Sequence, residues 1–323
     1  MRSPRFWEKA GGLAYALAPL GLAWSAGSVL RQTLTKPYRA AIPVICVGNL
    51  VVGGTGKTPV TLAIAEYLKK LGLKPHLLGR GYGGSAKGPT RVETDRHTAA
   101  LVGDEALLLA NAAPTWAGPD RAAAARAAAA GGADVLLLDD GFQNPGLEKD
   151  CSLVVVDGGY GFGNGYLVPA GPLREPVASG LRRARAVVLV GEDQTGVEGT
   201  LAGRLPVLRG WLEPEGLAAL AGRRLFAFAG IGRPEKFFET LRGAGLDLAG
   251  TRAFGDHHPY RGAEVEALLE AAAALDAVPV TTAKDAVRLP ADLQARVHAV
   301  PVRFRFEDMA ALEALLRPAL PGA

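Results

Sequence analysis

The sequence predicts an α/β protein built on an open sheet of mostly parallel strands. Short, continuous apolar runs recur along the chain, as at 135–138, 152–156 and 186–190, and such runs are typical of parallel strands that are covered on both faces. Segments of helical composition separate them. The first apolar run, 42–47, leads through a glycine-rich turn into a helical segment, which is the strand–turn–helix unit of doubly wound folds.

The composition describes a globular chain that is long enough for two domains. The chain has 323 residues, of which 49% are hydrophobic and 21% are charged, and a chain of this length exceeds one ordinary hydrophobic core. A formal net charge of +4 suits an anionic substrate or a membrane surface. No dense block of basic residues interleaved with aromatics supports nucleic-acid binding. Cys46 and Cys151 lie in separate apolar runs without metal-ligand spacing, so we expect two buried thiols.

The turn after the first strand carries the residue types of a phosphate-binding loop. Glycines let backbone N–H groups turn inward, a lysine reaches the terminal phosphates, and a threonine hydroxyl can hold Mg²⁺. The strict pattern asks for a glycine six positions before the lysine, where this chain has Val51, so a tight turn that binds nothing is the alternative. A helix predicted at 61–70 would point its N-terminus at the phosphates. The candidate nucleotide-binding residues are Gly53, Gly54, Thr55, Gly56, Lys57 and Thr58.

Two carboxylates follow a later apolar run, 133–138. Asp139 and Asp140 stand at the carboxyl end of this predicted strand, which places them beside the phosphate loop. Acids in this position hold Mg²⁺ in phosphoryl-transfer proteins. A chance pair of surface acids is the alternative.

Polar residues also follow other predicted strands. The strand at 74–78 ends in a glycine-rich loop with Arg80 and Tyr82, at the sheet edge where open α/β sheets bind ligands; a flexible surface loop is the alternative. Asp104 begins a helical run, where it could instead be only an N-cap. Arg121 and Arg126 lie five residues apart in an alanine-rich helical segment, and at least one of them is expected to be only a solvated charge.

The glycine- and proline-rich stretch 163–176 cannot form a helix or a central strand. It is therefore predicted to be a shaped loop. Arg174 in this loop is placed to meet an anion, because a guanidinium pairs well with phosphate or carboxylate.

A second strand–helix–strand series occupies 225–230, 234–243 and 246–251. The extended segment 205–214 before it is expected to lie apart from both series and to connect them. The chain is thus divided into an N-terminal helix at 1–35, a nucleotide-binding domain at 36–204, a linker at 205–222 and a C-terminal α/β lobe at 223–323.

The loop after this series contains Asp256, His257 and His258. A metal site is not favoured, because sequence neighbours point in different directions and the chain offers no other histidine cluster. A single histidine tuned by a carboxylate fits an acid/base partner better, with a structural hydrogen-bonded loop as the alternative. The last predicted strand ends near Lys284 and Asp285, a pattern similar to the base-reading corner of some P-loop proteins.

Residues 11–30 form an uncharged run between basic flanks. As a helix this run would be about 30 Å long and could span a bilayer, but alanines, glycines and Pro19 dilute its leucines. A signal peptide conflicts with the use of a cytosolic nucleotide. Trp7, Tyr15 and Trp24, together with the basic flanks, favour an interfacial helix on anionic lipid. A helix packed on the protein's own core is the alternative.

Eight segments, taken in order, carry a family resemblance over nearly the whole chain. They are 48–50, 53–59, 80–84, 103–105, 139–143, 169–176, 256–258 and 281–285. Together they resemble the tetraacyldisaccharide 4′-kinase family of lipid A biosynthesis, and the Pro-Ala-Gly-Pro-Leu-Arg-Glu-Pro string at 169–176 is far more specific than a phosphate loop. The chain departs from the family at Asn144, where a histidine usually follows Gly-Phe-Gln.

The resemblance implies a kinase on the cytoplasmic face of the inner membrane, peripheral or monotopic. Such a kinase transfers the γ-phosphate of ATP to the 4′-hydroxyl of a tetraacylated glucosamine disaccharide 1-phosphate, with Mg²⁺ as a cofactor. The implied fold is a P-loop NTPase-like α/β/α domain, a second and smaller α/β/α lobe joined by a short β linker, and an N-terminal membrane-associated helix. We expect no nucleic acid and no obligate protein partner.

The resemblance and the chemistry of phosphoryl transfer assign roles to the candidate residues. Asp104 would accept the proton of the sugar hydroxyl, and His257 would assist it from the second lobe. Glu105 would support the metal held by Thr58 and Asp139 or Asp140. The remaining candidates are Lys57 and Arg121 for the transferring phosphate, Asn49, Arg80, Tyr82 and Arg174 for the substrate, and Lys284 and Asp285 for the base.

Two rival functions remain open at the level of sequence. One is a membrane-associated nucleotide switch, in which 281–285 serves partner binding driven by GTP. The loop around Arg174 and the second lobe fit a substrate cleft better than a switch. The other is a soluble kinase for a small metabolite, and the apolar N-terminus counts against it.

Overall fold

The computed structural model describes residues 4–321 and contains two sheets, a large and a small one. The strands are β1 Val44–Gly48, β2 Pro75–Gly79, β3 Thr90–Arg91, β4 Thr115–Ala117, β5 Val135–Asp139, β6 Cys151–Asp157, β7 Ala186–Val190, β8 Val207–Pro214, β9 Arg224–Ala229, β10 Asp247–Ala253, β11 Val278–Thr282, β12 His298–Val300 and β13 Val302–Phe306. The helices are α1 Gly12–Leu34, α2 Lys57–Lys70, α3 Ala99–Val102, α4 Asp104–Ala110, α5 Arg121–Ala130, α6 Val177–Leu181, α7 Val197–Leu201, α8 Pro234–Gly243, α9 Gly262–Ala274, α10 Ala283–Ala286, α11 Ala291–Gln294 and α12 Met309–Leu316. Short 3-10 helices lie at Arg5–Trp7, Leu217–Leu220 and Arg317–Ala319.

The large sheet has nine strands in the order β13-β8-β7-β6-β1-β5-β2-β4-β3. Its central strands are parallel, and antiparallel pairs occur only at its two edges, β13 with β8 and β3 with β4. Strand β1 lies between β5 and β6 and is buried along its whole length. Because the chain leaves β1 toward one side of the sheet and later returns to the other side, the carboxyl end of β1 is a topological switch point.

Apolar side chains cover both faces of this sheet. One face packs on α5 through Ala124, Ala125 and Ala128. The other face packs on α2, which contributes Val60 and Ile64. Burial on both faces explains why the strands read as continuous apolar runs, and the predicted α/β class is confirmed. Cys46 and Cys151 are both buried and free, as expected.

The second lobe is built on a parallel sheet of four strands in the order β10-β9-β11-β12. Phe237 and Phe238 of α8 pack on one face of this sheet, and Val265 and Leu268 of α9 pack on the other. The strands expected at 225–230 and 246–251 and the helix at 234–243 are thus confirmed within one to two residues.

The connection between the lobes differs from the expected division of the chain. The segment taken as a linker contains β8, which belongs to the large sheet and pairs with β7. The C-terminal segment assigned to the second lobe returns as β13, which pairs with β8, and as α12. Phe304 of β13 and Leu312 of α12 are buried in the core of the first lobe. The burial of its apolar side in this core explains why β13 joins the large sheet. Strands β8 and β13 therefore form a two-stranded connection between the lobes.

Helix α1 lies on the outside of the first lobe and is largely exposed. An 18-residue window of it has a mean hydropathy of 1.4 with only 11% of the window buried, so this helix is long and apolar enough to cross a membrane by length and composition alone. Its exposed large apolar side chains are Leu13, Tyr15, Leu20, Leu22, Trp24, Val29, Leu30 and Leu34. This exposure does not fit a helix packed in the protein's own core.

Two tryptophans attach this N-terminal segment to the loop at 163–176. Trp7 Nε1 donates to the carbonyl oxygen of Pro169 at 3.0 Å, and Trp24 Nε1 donates to that of Arg174 at 3.3 Å. Gly21 lies so close to Leu167 that a Cβ at this position would meet it at 3.0 Å. The apolar helix is thereby held beside the cleft described below.

Candidate active site

The phosphate loop lies at the carboxyl end of β1, where the topology places a ligand site. Gly53 and Gly56 have φ angles of 116° and 86°, which side chains rarely adopt and glycine adopts readily. Helix α2 begins directly after them at Lys57, so its N-terminal N–H groups are available to an anion. The Lys57 side chain is 10% exposed, and its Nζ lies 3.5 Å from the carbonyl oxygen of Gly53 and 3.8 Å from Asp140 Oδ1.

Asp139 stands at the end of β5 and is joined to α2 by two hydrogen bonds. Thr58 Oγ1 donates to Oδ2 at 2.8 Å, and Thr61 Oγ1 donates to Oδ1 at 3.0 Å. Burial, and then the negative charge of Glu105, raise the pKa of Asp139 to about 6. The carboxylate and the Thr58 hydroxyl are therefore adjacent oxygen donors beside the phosphate loop, as Mg²⁺ requires.

Asp140 is held by two cations and has a φ of 51°. Arg174 Nη1 lies 2.9 Å from its Oδ1, and Lys57 Nζ is 3.8 Å from the same oxygen. Burial acts to raise the pKa of Asp140, but Lys57 and Arg174 outweigh it and lower the pKa below its ordinary value. Asp139 and Asp140 thus lie side by side with opposite tendencies to hold a proton.

Arg121 is buried and is not among the residues that line the cleft, contrary to a direct phosphate contact. Its Nη1 donates to the carbonyl oxygen of Gly118 at 3.0 Å. Burial lowers its pKa to about 10, while Asp140 and Asp139 act in the opposite direction. Arg121 therefore remains a cation at neutral pH that balances the carboxylate pair.

Asp104, at the start of α4, meets the second lobe through His257. The Asp104 Oδ2 and His257 Nδ1 atoms are 2.9 Å apart. Lys284 Nζ lies 3.4 Å from the other ring nitrogen, Nε2, so the network assigns the proton to Nδ1, which donates to Asp104. Burial acts to raise the pKa of Asp104, but the bond from His257 and the charges of Lys284 and Arg288 lower it.

His257 is held in this position by its backbone and by an aromatic neighbour. Its φ is 56°, and its backbone N–H donates to the carbonyl oxygen of Gly230 at 3.1 Å. The Tyr82 ring packs edge-on against the imidazole with 5.6 Å between ring centroids. His258 points elsewhere, with its Nε2 2.6 Å from Glu264 Oε2. The two adjacent histidines therefore have separate partners.

Lys284 lines the cleft, whereas Asp285 is not placed for the predicted contact with a nucleotide base. Lys284 Nζ lies 3.3 Å from Glu105 Oε1 and faces the Asp104–His257 pair. Asp285 is fully buried and accepts from the Gly230 N–H at 2.8 Å and the Tyr260 hydroxyl at 2.9 Å. A carboxylate with these partners has no access to the cleft, so Asp285 is a support within the second lobe.

Asn49 also differs from its predicted role as a substrate contact, because it is fully buried. Its Nδ2 donates to Thr55 Oγ1 at 3.1 Å, and its backbone oxygen accepts from Gln143 Nε2 at 2.7 Å. Gln143 Nε2 also lies 3.1 Å from Glu175 Oε1, which pairs in turn with Arg183. These residues brace the phosphate loop from behind.

Asn144, where the family usually has histidine, forms a turn. Its Oδ1 accepts from the Gly146 N–H at 2.9 Å, and its backbone oxygen accepts from Lys149. The side chain is committed to this local bond and not to the cleft.

An open cleft of about 2700 Å³ separates the lobes and contains the phosphate loop at its base. Arg80, Tyr82, Arg174 and His257 line it, as do Trp24 and Arg31 of α1. At the far wall, Arg233, which directly precedes α8, and Lys236 of α8 pair with Asp157, with 3.2 Å between Lys236 Nζ and Asp157 Oδ2. The lobes are therefore joined by charged contacts on both sides of the cleft.

Residues 4–321 contain no group of three or more histidine, cysteine, aspartate or glutamate side chains arranged as a self-contained metal site. A cation beside Asp139 would need phosphate oxygens to complete its coordination, as Mg²⁺ commonly does in nucleotide sites. The arrangement as a whole can bind a polyphosphate, hold a cation against it, and present a carboxylate–imidazole pair from across the cleft.

Sequence reasoning missed Arg288, whose Nε lies 3.3 Å from Asp104 Oδ2. Its position three residues after Asp285, in the turn that follows α10, was the available signal.

Comparison with known proteins agrees with this geometry. The model of the tetraacyldisaccharide-1-P 4′-kinase family matches residues 13–321. The chain is 57% identical over 329 residues to the tetraacyldisaccharide 4′-kinase of Rhodospirillum centenum, with 100% of this chain and 98% of the relative covered. It is 54% identical to that of Paramagnetospirillum magneticum, with 94% of each chain covered.

A solved structure shows the same fold. The crystal structure of the "apo" form of LpxK from Aquifex aeolicus in complex with ATP has a TM-score of 0.76 and 26% sequence identity, and the match covers 95% of this chain and 99% of that one. The chain therefore belongs to the tetraacyldisaccharide 4′-kinase family.

Proposed function

We propose that this protein transfers the γ-phosphate of ATP to the 4′-hydroxyl of a tetraacyl glucosamine disaccharide 1-phosphate at a membrane surface. The observation that carries the proposal is the 2.9 Å contact between Asp104 and His257 across the cleft, on the same side as the phosphate loop. A nucleotide switch needs no such carboxylate–imidazole pair on a second lobe. The relatives named above bear the name of this activity.

The residues at the carboxyl ends of β1 and β5 fit a magnesium ion. Thr58 Oγ1 and Asp139 are hydrogen-bonded at 2.8 Å, and both offer oxygen atoms as metal ligands. Thr58 and Asp139 would hold the ion, with Asp140 and Glu105 as the nearby carboxylates that support it. When bound, Mg²⁺ neutralises charge that develops on the phosphate oxygens.

The donor half of the reaction depends on positioning, because phosphoryl transfer needs little covalent help from the protein. The α2 N-terminus and the N–H groups of 53–56 would bind the β- and γ-phosphates. Lys57, which in this structure contacts Asp140 at 3.8 Å, would move its ammonium onto the transferring phosphate. Arg174 would exchange part of its contact with Asp140 for phosphate in the same way.

The acceptor half depends on Asp104. Its carboxylate would take the proton of the 4′-hydroxyl, while the Nδ1–H of His257 keeps it oriented and ionised. Tyr82 and Arg80 line the cleft next to this pair and would contact the sugar. Because Asp104 and His257 belong to different lobes, the acceptor half is complete only when the lobes are closed.

Helix α1 would hold the enzyme at the membrane that contains its substrate. Its large apolar side chains are exposed, and Trp24 fixes it to the backbone of Arg174. We infer an interfacial position on the cytoplasmic face of the inner membrane, where ATP is available. An acyl chain could then remain in the lipid while the sugar enters the cleft.

The direct test is transfer of labelled γ-phosphate from ATP to a purified tetraacyl disaccharide 1-phosphate, with the product extracted as lipid. The proposal expects a labelled lipid whose formation requires the acceptor and Mg²⁺. Slow hydrolysis of GTP without an acceptor would favour the nucleotide switch. Phosphorylation of a water-soluble sugar in place of the lipid would favour a small-metabolite kinase.

A further inference from the structure

We propose that Arg288 is a positioning residue that holds the Asp104 carboxylate in its reactive orientation when the two lobes are closed. The inference rests on the proposed function, in which Asp104 is the base. It concerns a side chain of the second lobe that touches no phosphate-loop residue.

The guanidinium of Arg288 is fixed within its own lobe before it meets Asp104. Nε donates to the carbonyl oxygen of Lys284 at 3.0 Å, and Nη1 donates to those of Gly230 at 3.1 Å and His258 at 3.3 Å. Nη2 lies 3.2 Å from Asp285 Oδ1. A planar fork whose Nε and Nη1 donate to backbone carbonyls, and whose Nη2 makes an ionic contact with Asp285, has little freedom left to lose.

Asp285 is in turn held on the other side of this cation. Besides Gly230 and Tyr260, Thr282 Oγ1 lies 2.6 Å from its Oδ2. The carboxylate is fully buried, so its negative charge must be balanced inside the protein. Pairing with Arg288 accounts for the burial of Asp285, whose function is to orient the Arg288 guanidinium.

The Nε edge of the guanidinium also faces Asp104, and the contact is ionic because the single N–H of Nε is donated to the Lys284 carbonyl oxygen. Arg288 Nε lies 3.3 Å from Asp104 Oδ2, the oxygen that also contacts His257 Nδ1 at 2.9 Å. The two side chains are 6% and 5% exposed, so water does not easily replace the contact. Two groups from the second lobe therefore converge on one carboxylate oxygen.

This convergence selects the oxygen that can react. Oδ1 of Asp104 accepts the Glu105 N–H at 2.9 Å, and the described residues supply it with no second-lobe donor. It therefore keeps a lone pair for the hydroxyl proton of the acceptor. An error of about 1 Å in the position of a catalytic group can cost on the order of 10²-fold in rate. Because the two oxygens belong to one rigid carboxylate, the contacts that fix Oδ2 also fix the reacting Oδ1.

A lysine could not replace this arginine fully. An ammonium group is a point charge on a flexible stem and has no fork that reaches two carboxylates at once. At this position it would pair with Asp104 or with Asp285, but it would not hold both in register.

The experiment compares Arg288→Met and Arg288→Lys with the wild type, each also in an Asp104→Ala background. It measures kcat and the KM for ATP with the lipid acceptor, and thermal unfolding of each variant. Arg296→Met is the matched control, because Arg296 is an exposed arginine of the same lobe. We expect Arg288→Met to lower kcat about 10²-fold with little change in the KM for ATP, and Arg288→Lys to lie between it and the wild type.

The Asp104→Ala background separates positioning from general support of the fold. If Arg288 acts through Asp104, removing Arg288 from the Asp104→Ala enzyme lowers kcat by less than about a further twofold, whereas two independent effects would multiply. Equal costs in both backgrounds would overturn the proposal, as would a folded Arg288→Met enzyme with wild-type kcat.

Two further outcomes are decisive. If Arg288→Met does not fold, Arg288→Lys carries the comparison, and wild-type kcat in that variant would refute the positioning role. If Asp104→Ala alone retains full turnover, the proposed base is wrong and the role of Arg288 falls with it. Loss of activity in Asp104→Ala with normal activity in both Arg288 variants would leave the proposed function intact and reject only the inference.

Discussion

Asp104 Oδ2 and His257 Nδ1 lie 2.9 Å apart although 153 positions separate the two residues in the chain. Asp104 begins a helix of the first lobe, and His257 lies in a loop of the second. The contact is thus both a chemical pair and a junction between lobes. A substitution at either residue should affect the acceptor half of the reaction and leave the phosphate loop intact.

Asp104→Ala should lower kcat by at least about 10²-fold, the contribution typical of a general base. Nucleotide affinity should remain near the wild-type value, because Asp104 does not contact the phosphate loop. Steady-state kinetics together with ADP binding by calorimetry measure the two effects. Asp95→Ala is the control, since that side chain is 78% exposed. Near-normal turnover of Asp104→Ala would reject the assigned base.

His257→Ala should move the acid limb of the pH profile of kcat/KM to higher pH. The bond from His257 is the largest influence that lowers the pKa of Asp104, acting against burial. Its removal therefore raises that pKa, and the active carboxylate form is lost at a higher pH as the medium is acidified. Lys284 and Arg288 still lower the pKa in the variant, so the shift is partial.

His258→Ala is the matched control for this profile, because its imidazole pairs with Glu264 and not with Asp104. The pH profile of kcat/KM is to be measured from about pH 5 to about pH 9, which covers the acid limb. An unchanged acid limb with a reduced kcat in His257→Ala would mean that the histidine orients the acceptor without tuning Asp104.

The donor half of the site was open to sequence reasoning because its signals are local. Gly56, Lys57 and Thr58 are contiguous, and Asp139 follows an apolar run directly. The carboxyl ends of parallel strands meet at one edge of a sheet, so the two segments could be placed together without a structure. The geometry brings Thr58 and Asp139 within 2.8 Å.

Long-range packing was not readable in the same way. The pairing of Asp104 with His257 was available only through the family resemblance. The burial of Asn49 and Asp285, which removes both from the cleft, depends on neighbours distant in sequence. The return of β13 to the large sheet was missed because an alternating strand carries no mark of the sheet that it joins.

Magnesium-dependent nucleotide binding should weaken as the pH falls below about 6. Burial and the charge of Glu105 raise the pKa of Asp139 to about 6, and a metal ligand must be deprotonated. The carboxylate is therefore available above this pH and is increasingly protonated below it. ADP affinity measured with and without Mg²⁺ at pH 5 and pH 7.5, two conditions chosen to bracket this value, isolates the metal-dependent part.

Asp139→Asn is the control, because protonation of the nucleotide itself also weakens metal binding at low pH. In Asp139→Asn, only the pH dependence caused by protonation of the nucleotide should remain. Identical pH dependence in the wild type and Asp139→Asn would show that Asp139 is not the titrating ligand.

Charge on the exposed face of α1 should release the protein from membranes without loss of the fold. Leu22 is 68% exposed, and a leucine buried in the lipid interface contributes roughly 2 kcal/mol. Leu22→Glu should therefore weaken binding to vesicles of anionic phospholipid by about tenfold or more, as measured by co-sedimentation. Leu71→Glu is the matched control, since that leucine is 48% exposed and lies beyond the end of α2. If Leu22→Glu binds vesicles as the wild type does, another surface of the protein carries the attachment, and α1 serves the cleft alone through Trp24.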